Sequence, residues 1–134
     1  MRKILITGGT GFLGKELAIK LSNDYELLLA GRNNKQNFKA KVVTGCEVMP
    51  MDVSNIESVR DSVAEVNPDL IIHAAATKIV DLSEVMPMEC IDVNVLGSQN
   101  VARVAIDKGV KAVIGISTDK ASPPIRNIYG MSKA

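Results

Sequence analysis

The sequence predicts an α/β fold, a doubly wound parallel sheet of about five strands with helices on both faces. Three observations lead there. Short apolar runs alternate with longer amphipathic ones along the chain, the first apolar run ends in a cluster of glycines, and no repeat, low-complexity tract or linker marks a second domain. With 134 residues there is material for one core, so residues 1–134 are read as a single unit.

The first strand is the apolar run Ile4 to Ile6, and the amphipathic run Phe12 to Leu21 follows as a helix. Between them stand Gly8, Gly9 and Gly11, with Gly14 in the helix. Gly9, Gly11 and Gly14 satisfy G-x-G-x-x-G, while Gly8, Gly11 and Gly14 equally satisfy G-x-x-G-x-x-G. Either spacing, placed after a first strand and before a helix, is the mark of a Rossmann-type dinucleotide site. Glycines permit the tight turn, the approach of a pyrophosphate to the backbone and close helix–strand packing. The unpaired N–H groups of the first helical turn face the loop, where the positive end of the helix dipole favours a diphosphate. Gly8, Thr10, Gly11, Phe12 and Leu13 are therefore candidate cofactor-binding residues.

A second strand runs from Tyr25 to Ala30 and ends in Gly31-Arg32-Asn33-Asn34-Lys35. NAD-binding domains usually carry an acid here for the ribose hydroxyls, and this loop has none. Arg32, with Asn33 and Lys35 beside it, suits a 2′-phosphate, which favours NADP over NAD; the alternative is an ordinary solvated loop. Residues 37–44 read as a short helix or an irregular crossover before a third strand, Glu47 to Met51, whose Met49 and Met51 suit the core. Asp52 and Val53 close that strand at the cofactor side. Ser54 to Glu57 reads as a capping box opening a helix to about Val66, which Asn67-Pro68-Asp69 stops. The fourth strand, Leu70 to Ala76, leaves on Ala74, Ala75 and Ala76, small enough for a flat cofactor to lie against. His73 is as well explained as a satisfied core histidine and receives no chemical role. Helical spacing resumes from Pro87 to Asp107, and Lys111 to Ile116 is the fifth strand.

The charge balance excludes several classes of partner. Lys plus Arg is 16 against 15 for Asp plus Glu, a net charge of +1, with no basic stripe for nucleic acid or a membrane surface. Cys46 and Cys90 have no C-x-x-C spacing and His73 is the sole histidine, so neither a metal site nor a disulfide framework is expected. No apolar run approaches the ~18 residues of a membrane span and nothing resembles a signal peptide, so the expected location is the reducing cytoplasm.

Near the C-terminal end Tyr129 and Lys133 stand four residues apart, on one face if the segment is helical. An ammonium beside a phenol stabilises the phenolate and suits tyrosine to act as general base. The glycine loop Thr7–Gly14, His73-Ala74-Ala75-Ala76, Asn94 and the Tyr129/Lys133 pair together resemble an extended short-chain dehydrogenase/reductase. Within that superfamily His73–Lys78, Glu89–Gly97 and Ser117–Ala121 resemble the polysaccharide-biosynthesis branch, whose best-known activity is that of inverting UDP-N-acetylglucosamine 4,6-dehydratases.

The resemblance implies a mechanism. Tyr129, assisted by Lys133, takes the proton of the sugar C4 hydroxyl while C4 is oxidised by NADP⁺. The ketone acidifies C5–H, Lys120 removes that proton, Asp119 protonates the departing C6 hydroxyl, and Thr118 positions the sugar. Lys78 lies near the nicotinamide and the sugar. UDP-sugar 4-epimerases or reductases of the same superfamily are the alternative, as is an idle nucleotide-binding module. Pro123 and Pro124 lengthen the segment between Lys120 and Tyr129 relative to the usual spacing. Members continue past this helix into a C-terminal domain that holds the UDP-sugar, and they are expected to form homo-oligomers; this chain ends at Ala134. The expectation is an N-terminal fragment, inactive by itself.

Overall fold

The computed structural model describes residues 2–76, 86–116 and 132–133. Five parallel strands form one sheet in the order β3-β2-β1-β4-β5. These are β1 (Lys3–Thr7), β2 (Glu26–Gly31), β3 (Glu47–Pro50), β4 (Leu70–His73) and β5 (Ala112–Gly115). The order reverses between β1 and β4, which opens a crevice beyond the carboxyl ends of these two central strands. The doubly wound α/β fold expected from the alternation is the one observed.

The central strands β1, β2 and β4 are nearly continuous apolar runs because both faces of the sheet are covered there. Ile4, Ile6, Leu27, Leu29 and Ile72 pack on one side with Ala18 of α1 (Phe12–Leu21) and Ala40 of α2 (Asn34–Thr44). Leu5, Ala30 and Ile71 point the other way, onto Val59, Val63 and Val66 of α3 (Ile56–Val66) and Val101, Val104 and Ala105 of α5 (Gly97–Lys108). Met51 belongs to this second core and Met49 packs against it, as the sequence suggested.

Several boundaries are corrected. The uninformative stretch before β3 is a helix throughout, α2, capped by Asn33, whose side chain accepts from Gln36 N at 3.1 Å, and closed by Gly45 at φ 73°. The capping box is not formed. Asn55, one position later than Ser54, caps α3 by accepting from Glu57 N and Ser58 N, because the Ser54 hydroxyl is drawn to Asp52 Oδ1 at 2.6 Å. β4 ends at His73, so Ala74–Ala76 lie past the sheet.

The helix expected from Pro87 to Asp107 is interrupted. A short α4 (Pro87–Ile91) passes into a π-helical turn, Asp92–Leu96, before α5 begins. Apolar spacing marks the buried side of such a helix but carries no mark for one inserted residue, so the widened turn was invisible in the sequence. Among the described residues no helix is long and apolar enough to cross a membrane.

Candidate functional site

The glycine loop is fixed by backbone packing. Gly9 N donates to Ile6 O at 3.2 Å and to Ala30 O at 3.1 Å, tying the loop to both β1 and β2. Gly8 holds φ +67°, and a Cβ there would sit 2.7 Å from the Ala75 backbone, so the ends of β1 and β4 approach as closely as they do only around glycine. Gly14 does the same for the helix, since its Cβ would overlap the backbone of Gly9. Gly11 is the N-cap of α1 and supplies no side-chain cap, so the first-turn N–H groups are left to face the loop. These features fit a diphosphate: a bare backbone cradle with aligned donors and no side chain filling it.

The loop opens into a cavity of about 410 Å³. Its walls include Gly8, Thr10, Gly11, Arg32, Asn33, Asp52, Val53 and Ala74–Ala76, which brings together ten of the candidates chosen from strand ends. A smaller cavity of about 230 Å³ shares Gly8 and Ala74–Ala76 with it and adds Leu13 and Lys133. The two adjoin through the alanines at the end of β4. Phe12 and Lys35 line neither cavity; Phe12 is exposed on the first turn of α1 and Lys35 is exposed on α2. Lys78, Thr118, Asp119, Lys120 and Tyr129 lie outside the described residues. No group of three or more His, Cys, Asp or Glu able to hold a metal gathers among the described residues.

At the far end of the larger cavity Arg32 Nη2 pairs with Glu89 Oε1 at 2.9 Å. Glu89 comes from α4 and was not singled out in the sequence as a cofactor contact. Asp52 is occupied locally, accepting from Ser54 N at 3.1 Å and from Ser54 Oγ. Val53 O accepts from Asn100 Nδ2 of α5 at 2.9 Å, which anchors the end of β3 to the opposite helix layer.

The smaller cavity is organised by His73, which the sequence had left without a role. Its Nδ1 lies 2.6 Å from Thr7 Oγ1 and its Nε2 3.1 Å from Ser98 Oγ. Ser98 Oγ donates to Asn94 O at 2.8 Å, so it is left to accept from the ring, and the ring proton belongs on Nε2. Thr7 Oγ1 accepts from Ala75 N at 3.3 Å and donates to Nδ1. Every partner is satisfied only with a neutral imidazole. Burial, reinforced by the nearby charge of Lys133, lowers the His73 pKa to about 4. The π-helical turn holds the next link: buried Asn94 donates from Nδ2 to Ser132 Oγ at 2.8 Å, next to Lys133. One polar chain thus runs from β1 through β4 and α5 to the residue before Lys133. A histidine inside an apolar strand was the available signal, and it did not reveal its partners.

The family of polysaccharide biosynthesis proteins matches residues 4–134, almost the whole chain. The chain belongs to this family. The polysaccharide-biosynthesis resemblance read from the sequence is thereby borne out. A relative in Campylobacter jejuni, a UDP-N-acetylglucosamine 4,6-dehydratase (inverting), is 38% identical over 98% of the chain and 40% of its own length. A UDP-glucose 4-epimerase of Rickettsia bellii is also 38% identical, over 99% of the chain and 41% of its own length. The chain therefore spans about two-fifths of the length of these curated relatives. Among solved structures, Pen from Bacillus thuringiensis superposes with a TM-score of 0.88 at 30% identity, covering 98% of this chain and 43% of that one. A UDP-glucose 4-epimerase from Bifidobacterium longum, solved with NAD⁺ and UDP, gives 0.83 at 25% identity, over 98% and 45%.

Proposed function

We propose that residues 1–134 form the cofactor-binding domain of an NADP-dependent nucleotide-sugar 4,6-dehydratase that acts on a UDP-sugar such as UDP-N-acetylglucosamine. One observation carries the reading. The uncapped start of α1 faces a cavity of about 410 Å³ walled by the ends of β1, β2, β3 and β4, in a chain 38% identical to inverting dehydratases. Arg32 at the rim of that cavity favours the 2′-phosphate of NADP over NAD.

A nicotinamide cofactor held by the glycine loop would supply a hydride acceptor for sugar C4 and a hydride donor for C6. The chain supplies the proton transfers. Tyr129 takes the C4 hydroxyl proton, with the Lys133 ammonium stabilising the phenolate. Once C4 is a ketone, Lys120 removes the acidified C5 proton and Asp119 protonates the C6 hydroxyl, which leaves as water; when C6 is then reduced, C5 takes up a proton, which completes the 4-keto-6-deoxy sugar. Thr118 would orient the sugar, and Lys78 would contact the nicotinamide and the sugar. The polar chain from His73 to Ser132 supports the Lys133 end of this arrangement.

A second reading, a 4-epimerase, has its own support in the Rickettsia relatives, which are as identical as the dehydratases. Epimerisation needs Tyr129 and Lys133 but no base for C5. In the full-length enzyme Lys120→Ala is expected to leave oxidation at C4 possible and to stop elimination, whereas Tyr129→Phe stops both. Release of water at the parental rate from the Lys120→Ala enzyme would remove Lys120 from the elimination, and a wild-type enzyme that interconverts C4 epimers without releasing water would transfer the assignment to the epimerase.

A further inference from the structure

We propose that Glu89 sets the balance between NADP and NAD, by supplying from α4 the carboxylate that the loop after β2 lacks. The inference deepens the cofactor reading above and rests on it. Sequence order hides the arrangement, because Glu89 and Arg32 are separated by 57 positions and meet only when α4 folds over the end of β2. Both line the larger cavity, with side chains 56% exposed for Arg32 and 32% for Glu89, so an incoming ligand can reach either.

The guanidinium that suits a 2′-phosphate is already engaged, at 2.9 Å. A phosphate has to share Arg32 with Glu89, and it then lies beside a carboxylate of the same sign. NADP therefore meets the repulsion of Glu89 and competes with it for the guanidinium when it makes charge-assisted bonds to Arg32. An unphosphorylated ribose meets the opposite chemistry. Its 2′- and 3′-hydroxyls donate to the Glu89 carboxylate, as they do to the acid that usually follows β2, and the Arg32 pair is kept. Two other oxygen acceptors at this rim are engaged locally: Asn33 Oδ1 accepts from Gln36 N at 3.1 Å, and the Asp52 carboxylate accepts from Ser54 N and Oγ. Among the described residues of this cavity, Glu89 is the carboxylate placed to act.

The test measures Kd for NADP⁺ and for NAD⁺ by calorimetry on the wild-type protein, Glu89→Gln and Arg32→Ala. Glu89→Gln should tighten NADP⁺ by ~3- to 10-fold and weaken NAD⁺ by about 3-fold, the range for an exposed ion pair plus the relieved repulsion. Arg32→Ala should weaken NADP⁺ by about 10-fold or more and leave NAD⁺ within about 2-fold. Shifts of opposite sign for two ligands of one site do not arise from a general loss of structure. An unchanged NADP⁺/NAD⁺ ratio in Glu89→Gln, or both affinities moving the same way, overturns the role of Glu89 while leaving the cofactor site standing. If the wild type binds neither dinucleotide, the cofactor reading itself fails, and this inference with it.

Discussion

The two adjoining cavities are built by different means. The larger is shaped by main chain: Gly8 at positive φ against Ala75, Gly14 against Gly9, and an uncapped helix start. The smaller is shaped by side chains that hydrogen-bond across β1, β4, the π-helical turn and α5. Backbone sterics tolerate almost no substitution at a few positions, whereas a polar chain spreads its cost over several residues, each of moderate weight. The difference predicts a steep response on one side and a graded one on the other.

The largest effect is expected at Gly8. Gly8→Val forces a β-branched residue into φ +67° and drives a Cβ to 2.7 Å from the Ala75 backbone, so dinucleotide affinity should fall by roughly 100-fold. Calorimetric titration would check it, and a loss of only a few-fold would mean that the loop is more pliable than its packing implies.

Next comes acid sensitivity in the smaller cavity. The folded pKa of His73, about 4, is depressed below the value near 6.5 of an unfolded chain, so between these values the unfolded chain binds more protons and stability rises with pH. The contribution, roughly 3 kcal/mol, is full above pH 6.5 and is lost as pH falls through about 4. Denaturant midpoints measured from pH 7 to 4.5 should decline in the wild type and decline much less in His73→Asn; parallel curves would remove His73 from the account.

Ser98→Ala should cost about 1–2 kcal/mol, since it leaves Asn94 O and the His73 Nε2–H with one partner fewer. The smallest expected effect lies outside both cavities. Asn55→Ala removes the cap of α3 and should lower stability by about 1 kcal/mol, with cofactor affinity unchanged. Should Ser98→Ala prove milder than Asn55→Ala, the polar chain would be a consequence of the fold and not one of its supports.

The same contrast explains what the sequence disclosed. Alternating runs, glycine spacing and the small residues after β4 report on backbone and burial, both local properties, and from them came the sheet and ten lining residues of the larger cavity. Glu89, Ser98 and Ser132 act through partners distant in sequence, and no local pattern marks them. The capping box failed for a related reason: Ser54 had a competing acceptor in Asp52, two residues back, and Asn55 took the cap. The π-helical turn escaped because hydrophobic spacing tolerates one inserted residue without losing its face.

The central claim is that the bare glycine cradle and the larger cavity form one dinucleotide site. The most direct measurement is a titration of the wild-type protein with NADP⁺, run beside Gly8→Val after circular dichroism has shown both to be folded. Saturable binding at one site per chain in the wild type, with affinity lower by roughly 100-fold in Gly8→Val, is the predicted result. Absence of binding to the folded wild-type protein, or equal binding by both, would contradict it.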